Sequence, residues 1–215
     1  KLGFDWTDKL HHLSYGLVNL PSGRMKSREG TVVDADDLID ALHESALQAI
    51  KEKGRDSEVD DADEVAEKVA LAALNYYLLQ ATPIKDMLFN PEESLSFNGN
   101  TGPYLQYMGA RINSILAKAK ENGLVADSSE DSVKLLNAPE EWELIKQLGD
   151  YPSIVQKSAE NLDPSLMAGY LYETAKLFSK FYLQCSIMNA ETNELAKAGL
   201  YLAESTLEVM KNAMN

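Results

Sequence analysis

The chain has 215 residues, 45% of them hydrophobic and 25% charged, with a mean hydropathy of −0.29 and one cysteine. That composition suits a folded globular chain rather than a disordered one, and the length is enough to bury a core without disulfides or metal. The formal charge of −14 excludes a general nucleic-acid coat but is unevenly spread: residues 1–33 carry five basic and three acidic side chains, residues 34–67 three and thirteen.

The elements follow in chain order. His11 to Leu20 alternates, with Leu13, Tyr15 and Leu17 on one side of an extended chain, and predicts a strand. Pro21, Ser22, Gly23 and Gly30 make the next segment a loop. Everything after it reads as helical. Asp34 and Asp36 can cap a helix to about Lys53, with Leu38, Leu42, Ala46 and Ile50 at intervals of four. A second helix starts among Asp60, Asp61 and Asp63, whose charge suits the positive end of a helix dipole, and runs to the Thr82-Pro83 break. A loop from Asp86 to Pro103 leads to a third helix with Tyr104, Met108, Ile112, Ile115 and Leu116, ending at Gly123. A polar break over Asp127–Ser132 precedes a bundle: Ala138 to Leu148, Tyr151 to Leu162, Asp163-Pro164 to about Cys185, and Thr192 to Met214. Leu166, Tyr170, Leu171, Thr174, Leu177, Phe178 and Phe181 form an apolar stripe that reads as core, and Cys185 beside Phe181 and Tyr182 reads as a buried core thiol.

No apolar run approaches the roughly 18 residues of a membrane-spanning helix, and Lys1 to Leu10 lack a signal peptide's apolar core. The reading is a cytoplasmic protein with no membrane partner, and a start at Lys1 within ordered-looking chain reads as a piece of a longer polypeptide. His11, His12 and His43 have no metal-ligand spacing, so no metal site is expected.

Two segments carry residue types suited to chemistry. In Gly23-Arg24-Met25-Lys26-Ser27-Arg28-Glu29-Gly30, three cations between two glycines follow the predicted strand. Such a loop can neutralise charge building on a leaving phosphate while its glycines let it swing, though composition alone favours a solvated basic turn. Ser96-Phe97-Asn98-Gly99-Asn100-Thr101-Gly102-Pro103-Tyr104-Leu105-Gln106-Tyr107, with Arg111 one turn on, offers rings for stacking and amides and a hydroxyl for base edges, which single-stranded RNA loops require. Equally, Asn100 and Thr101 can be a helix cap, and Tyr104 and Tyr107 packing residues. Tyr104 and Arg111, seven apart, share a helix face, and Tyr107 lies about 60° away.

These segments resemble a known family. The run His12 to Leu38, with Tyr-Gly-Leu-Val, Gly-Arg-Met-Lys-Ser-Arg-Glu-Gly-Thr-Val-Val and Asp-Asp-Leu, resembles the end of the catalytic domain of arginyl-tRNA synthetases, a class I aminoacyl-tRNA synthetase family, its loop standing where that class carries Lys-Met-Ser-Lys-Ser. Leu95 to Ile112 is similar to the opening of the family's anticodon-binding helical domain, and Pro164 to Tyr182 to a later bundle helix. Ser27 occupies the position of the family's second signature lysine.

The resemblance implies a mainly α fold: a helical bundle preceded by a short strand and loop left from a Rossmann-like catalytic domain. Its divisions fall at 1–33 (end of the catalytic domain), 34–94 (connecting helices) and 95–215 (anticodon-binding domain, stopping short of the family's C-terminal tail). It further implies an arginine-tRNA ligase in which arginine and ATP, with Mg, form arginyl-adenylate before transfer to tRNA. Arg24, Lys26 and Arg28 would be catalytic, Arg24 to Arg28 including Met25 and Ser27 would bind the ATP phosphates, and Phe97, Asn98, Asn100, Thr101, Tyr104, Tyr107 and Arg111 would bind RNA. The His-x-Gly-His motif and most of the nucleotide-binding sheet would precede Lys1, so this length alone is expected to be inactive, cofactor-free and monomeric, with arginine tRNA rather than DNA as partner. The competing reading is a non-catalytic helical adaptor for a protein partner.

Overall fold

The computed structural model describes residues 3–21, 34–52 and 61–214. Helix α1 (Ala35–Glu52) opens with the Leu38 N–H donating to Asp34 O at 3.1 Å, has Asp36 and Asp37 in its first turn, and buries Leu42 and Ala46. Helix α2 (Ala62–Leu79) is capped by the Asp61 carboxylate, which accepts from the N–H groups of Asp63 and Glu64, both at 3.1 Å. It ends three residues before Thr82, because a proline at 83 disfavours helical backbone in the residue before it.

The strand expected over His11–Leu20 is corrected to β1 (Val18–Asn19), and a second strand that the sequence reading lacked, β2 (Met87–Leu88), pairs with it in parallel within the segment expected to be a loop. The Met87 N–H donates to Leu17 O and the Phe89 N–H to Asn19 O, both at 2.8 Å. Leu13, Tyr15 and Leu17 do alternate, but all three are exposed, Tyr15 at 84%. Among the described residues nothing covers that face, and alternation with no layer to bury against does not drive strand formation. Met87 and Leu88 are too few to show a period.

Short helix α3 (Pro91–Ser94), capped by Asn90, leads into α4 (Gly102–Glu121), beyond whose C-cap Asn122 the chain turns at Gly123 with φ +74°. The expected polar break contains one helical turn, α5 (Glu130–Val133), capped by Ser129. Next come α6 (Pro139–Gly149), α7 (Tyr151–Asn161), α8 (Ser165–Gln184) and α9 (Asn193–Met214). Asp163 lies just before α8 and accepts from the Ser165 N–H at 3.0 Å, but the N-cap itself is Pro164, one residue later than expected.

Helices α4, α6, α8 and α9 enclose the main core, which includes Leu105, Met108, Ile112, Leu144, Phe178, Phe181, Leu200 and Met210. A second cluster, Leu20, Leu42, Ala70, Leu74 and Phe89, ties α1 and α2 to the strand pair. Most of the predicted α8 stripe is buried, but Leu166 is exposed and Leu177 only half-buried. Cys185, the residue on which α8 ends, is half-buried and packs against the edge of the main core rather than lying fully inside it. Burial still pushes its thiol above the ordinary value, away from nucleophilic character.

Candidate nucleic-acid interface on α4 and α8

The loop before α4 is shaped by its own polar groups. Thr101 is buried, and its hydroxyl donates to Ser96 O at 2.5 Å while accepting from the Tyr104 N–H at 3.2 Å, which caps α4. Gly99 holds φ +90°, which lets the chain reverse. Gly102 is fixed by crowding, since a Cβ there would lie 2.1 Å from Ala72 O and 2.5 Å from Ala72 C. The loop therefore sits directly on the α2 backbone. One turn further, Gln106 Nε2 donates to Lys68 O at 3.1 Å. Thr101 thus serves the cap and is turned inside, whereas Phe97, Asn98 and Asn100 are exposed.

Tyr104 and Arg111 share a face, as their spacing requires, and that face looks along α8. Tyr104 is half-buried with its ring edge-on to Tyr172, centroids 5.9 Å apart, and burial raises its phenol above the ordinary value. The Arg111 guanidinium lies 4.8 Å over the Tyr182 ring, and Lys176 Nζ lies 5.6 Å from the Tyr172 centroid. Tyr107 is 47% exposed and faces the other way, into a groove of about 580 Å³ that it lines with Phe97, Ile50, Val65 and Val69. The sequence-expected residues thus fall on two sides of α4: Phe97, Asn98 and Tyr107 towards α1 and α2, Tyr104 and Arg111 towards α8.

At the α8 end of the seam lies a cleft of about 450 Å³ walled by Arg111, Ser114 and Lys118 of α4 and by Tyr182, Ser186 and Asn189. Lys68, Lys134, Lys176 and Lys180 are each neutralised by a glutamate, but neither Arg111 nor Lys118 forms an ion pair among the described residues. Two unpaired cations beside an aromatic ring, on a chain of net charge −14, offer charge for phosphate and a face for stacking a planar ring.

Residues 105–215 match the DALR anticodon binding domain, and residues 1–91 match the catalytic domain of class I (R) tRNA synthetases. The chain belongs to the arginyl-tRNA synthetase family. It is 56% identical to the arginine–tRNA ligase of Treponema denticola, aligning over 100% of this chain and 37% of that protein, and 52% identical to that of Treponema pallidum, over 99% and 36%. Among solved structures it superposes on Thermus thermophilus arginyl-tRNA synthetase with a TM-score of 0.84 at 29% identity, covering 96% of this chain and 34% of that one. The Plasmodium falciparum arginyl-tRNA synthetase gives a TM-score of 0.76 at 25% identity, over 98% and 35%. The chain therefore spans about a third of the length of these relatives.

In this synthetase-family chain the cationic loop, Arg24, Met25, Lys26, Ser27 and Arg28, lies outside the described residues. Sequence reasoning did not include Ser114, Lys118, Tyr172, Lys176, Tyr182, Ser186 or Asn189 in the candidate site. A signal existed for two of them: Tyr172 lies off the apolar stripe of α8 with Lys176 four residues on, a pairing that core packing does not need.

Proposed function

We propose that this chain is the C-terminal part of an arginine-tRNA ligase and that it holds the anticodon region of arginine tRNA along the seam of α4 and α8. The observation that carries this reading is the cleft that brings Arg111, stacked on Tyr182, beside Lys118, neither with a carboxylate partner among the described residues. The two cations hold backbone phosphates, with Tyr182 supporting the Arg111 guanidinium, the ring of Tyr104 receives an unstacked base, and Asn100 meets a base edge.

In the complete enzyme arginine and ATP, with Mg, form arginyl-adenylate and pyrophosphate, and the arginyl group then passes to the 3′ end of the tRNA. Arg24, Lys26 and Arg28 offset the charge that builds on the leaving pyrophosphate, with Met25 and Ser27 completing the loop around the phosphates. The chain acts as a monomer on RNA, not on DNA or a membrane, and needs no cofactor to bind tRNA. The test is a comparison of affinities for arginine tRNA and for the same tRNA with its middle anticodon base changed. Weaker binding of the altered tRNA is expected. Equal affinity for both would refute anticodon reading by this surface.

A further inference from the structure

The polar face of the Asn98 to Asn100 turn is set from below. The Tyr76 hydroxyl, on the inner face of α2, lies 2.5 Å from Asn100 Oδ1 and 2.8 Å from Ala168 O. A phenol has one proton to give. Both are acceptors within reach, since the Ala168 carbonyl keeps a lone pair beyond its α8 ladder bond, and the bond to Asn100 Oδ1 is the shorter of the two.

Tyr76 itself has almost no freedom. It is 8% exposed on a helix whose next turns are docked on α4, through the close approach of Ala72 to Gly102 and the bond from Gln106 to Lys68 O. The Asn100 amide is thereby fixed at its oxygen end, and its Nδ2 group has no partner among the described residues although the residue is exposed.

We propose that Tyr76 is a positioning residue that locks the Asn100 amide with its two N–H donors turned to the RNA, making Asn100 a reader of acceptor atoms on the nucleotide, a base carbonyl, a ring nitrogen or a phosphate oxygen. The inference rests on the RNA-binding reading above. An asparagine free to flip would offer donor or acceptor alike and so would not discriminate; one held at its oxygen presents donors only.

The test is a double-mutant cycle on arginine tRNA binding by the full chain, with Arg111→Ala as reference and thermal melting run on every variant. Asn100→Ala and Asn100→Asp each lose about tenfold in affinity, because both remove the N–H donors. Tyr76→Phe keeps the ring and loses about three- to tenfold, and the same change in the Asn100→Ala background costs nothing further, because Tyr76 acts through Asn100. A merely structural Tyr76 would weaken binding equally in both backgrounds, and that result would overturn the proposal. So would full affinity in Asn100→Asp. If Arg111→Ala also leaves affinity unchanged, the RNA-binding reading itself fails; if Arg111→Ala weakens binding and the Asn100 variants do not, only the positioning role fails.

Discussion

The unpaired cations of the α4–α8 cleft make a quantitative statement about salt. Arg111 and Lys118 are seven residues apart on one face of α4, about 10 Å along its axis, so they can meet different phosphates of one strand. Each phosphate contact on a single strand contributes about 0.7 to the slope of log affinity against log salt, so Arg111→Ala with Lys118→Ala flattens the slope by about 1.4. Between about 50 and about 200 mM salt the unaltered chain should then lose about sevenfold more affinity for arginine tRNA than the double variant. Fluorescence anisotropy with labelled tRNA at five salt concentrations measures both slopes. Lys134→Ala is the control, since Glu130 already neutralises that lysine at 2.7 Å, and it should leave the slope where it was. Arg111→Ala also uncovers the Tyr182 ring at a cost of about 0.5–1 kcal/mol, which a melting curve separates from the loss of charge. A double variant that binds less tightly by the same factor at every salt concentration would mean that the two side chains pack and do not meet phosphate.

Gly102→Ala should destabilise the chain by about 2–3 kcal/mol in urea unfolding, because the obstruction at 2.1 Å is backbone and cannot rotate away; an unchanged midpoint would contradict the close docking of α4 on α2. Tyr104→Ala should cost about 1–3 kcal/mol in arginine tRNA binding while Tyr104→Phe, which retains the ring against Tyr172, costs little; equal effects of the two would point to the hydroxyl instead of stacking. Burial pushes the Tyr170 phenol up to about 12, above its unfolded value near 10, so the stability that it contributes as a neutral group is complete below pH 10 and is lost as pH rises towards 12. That loss should reach about 2 kcal/mol and shrink in Tyr170→Phe; parallel pH profiles for the two proteins in urea unfolding would show that Tyr170 is not the group responsible.

The helices were legible because each carries its own start, stripe and stop. Asp61 caps α2 within the expected acidic start, Thr101 caps α4 as one of its two readings allowed, and the buried Tyr170, Leu171, Thr174, Phe178 and Phe181 are five of the seven residues of the predicted stripe of α8. What the sequence could not carry is anything decided by a neighbour distant along the chain. The β1–β2 pair joins residues 69 apart in sequence, and neither two-residue strand has a pattern of its own. The site was legible in its residue types more than in its grouping. Arg111 was expected to work with Tyr104 on one helix, yet its nearest ring is Tyr182 on α8, a pairing that only the packing of α4 on α8 creates. Thr101 was read two ways, as an RNA contact and as a cap, and its burial assigns it to the cap. Tyr107, thought equally able to be core, is exposed because its side of α4 faces the groove beneath α1.

On the proposed reading the loop before α4 is organised before RNA arrives, and the reason lies in how α2 carries it. Three consecutive turns of α2 meet the start of α4 at intervals of four residues: Lys68 O takes the Gln106 amide, Ala72 O abuts Gly102, and the Tyr76 hydroxyl holds Asn100. Four residues is the repeat at which a helix presents one face, so the whole loop-to-helix junction is read off a single face of α2. A loop held in this way forfeits little conformational entropy on binding, which matters for a chain of charge −14 that gains no general attraction to a polyanion. Such a chain must take its affinity from a few contacts already in position. Arg111 and Lys118, without carboxylate partners among the described residues, Tyr182 beneath the guanidinium and Asn100 bonded at its oxygen are the contacts that the proposed reading assigns to this role.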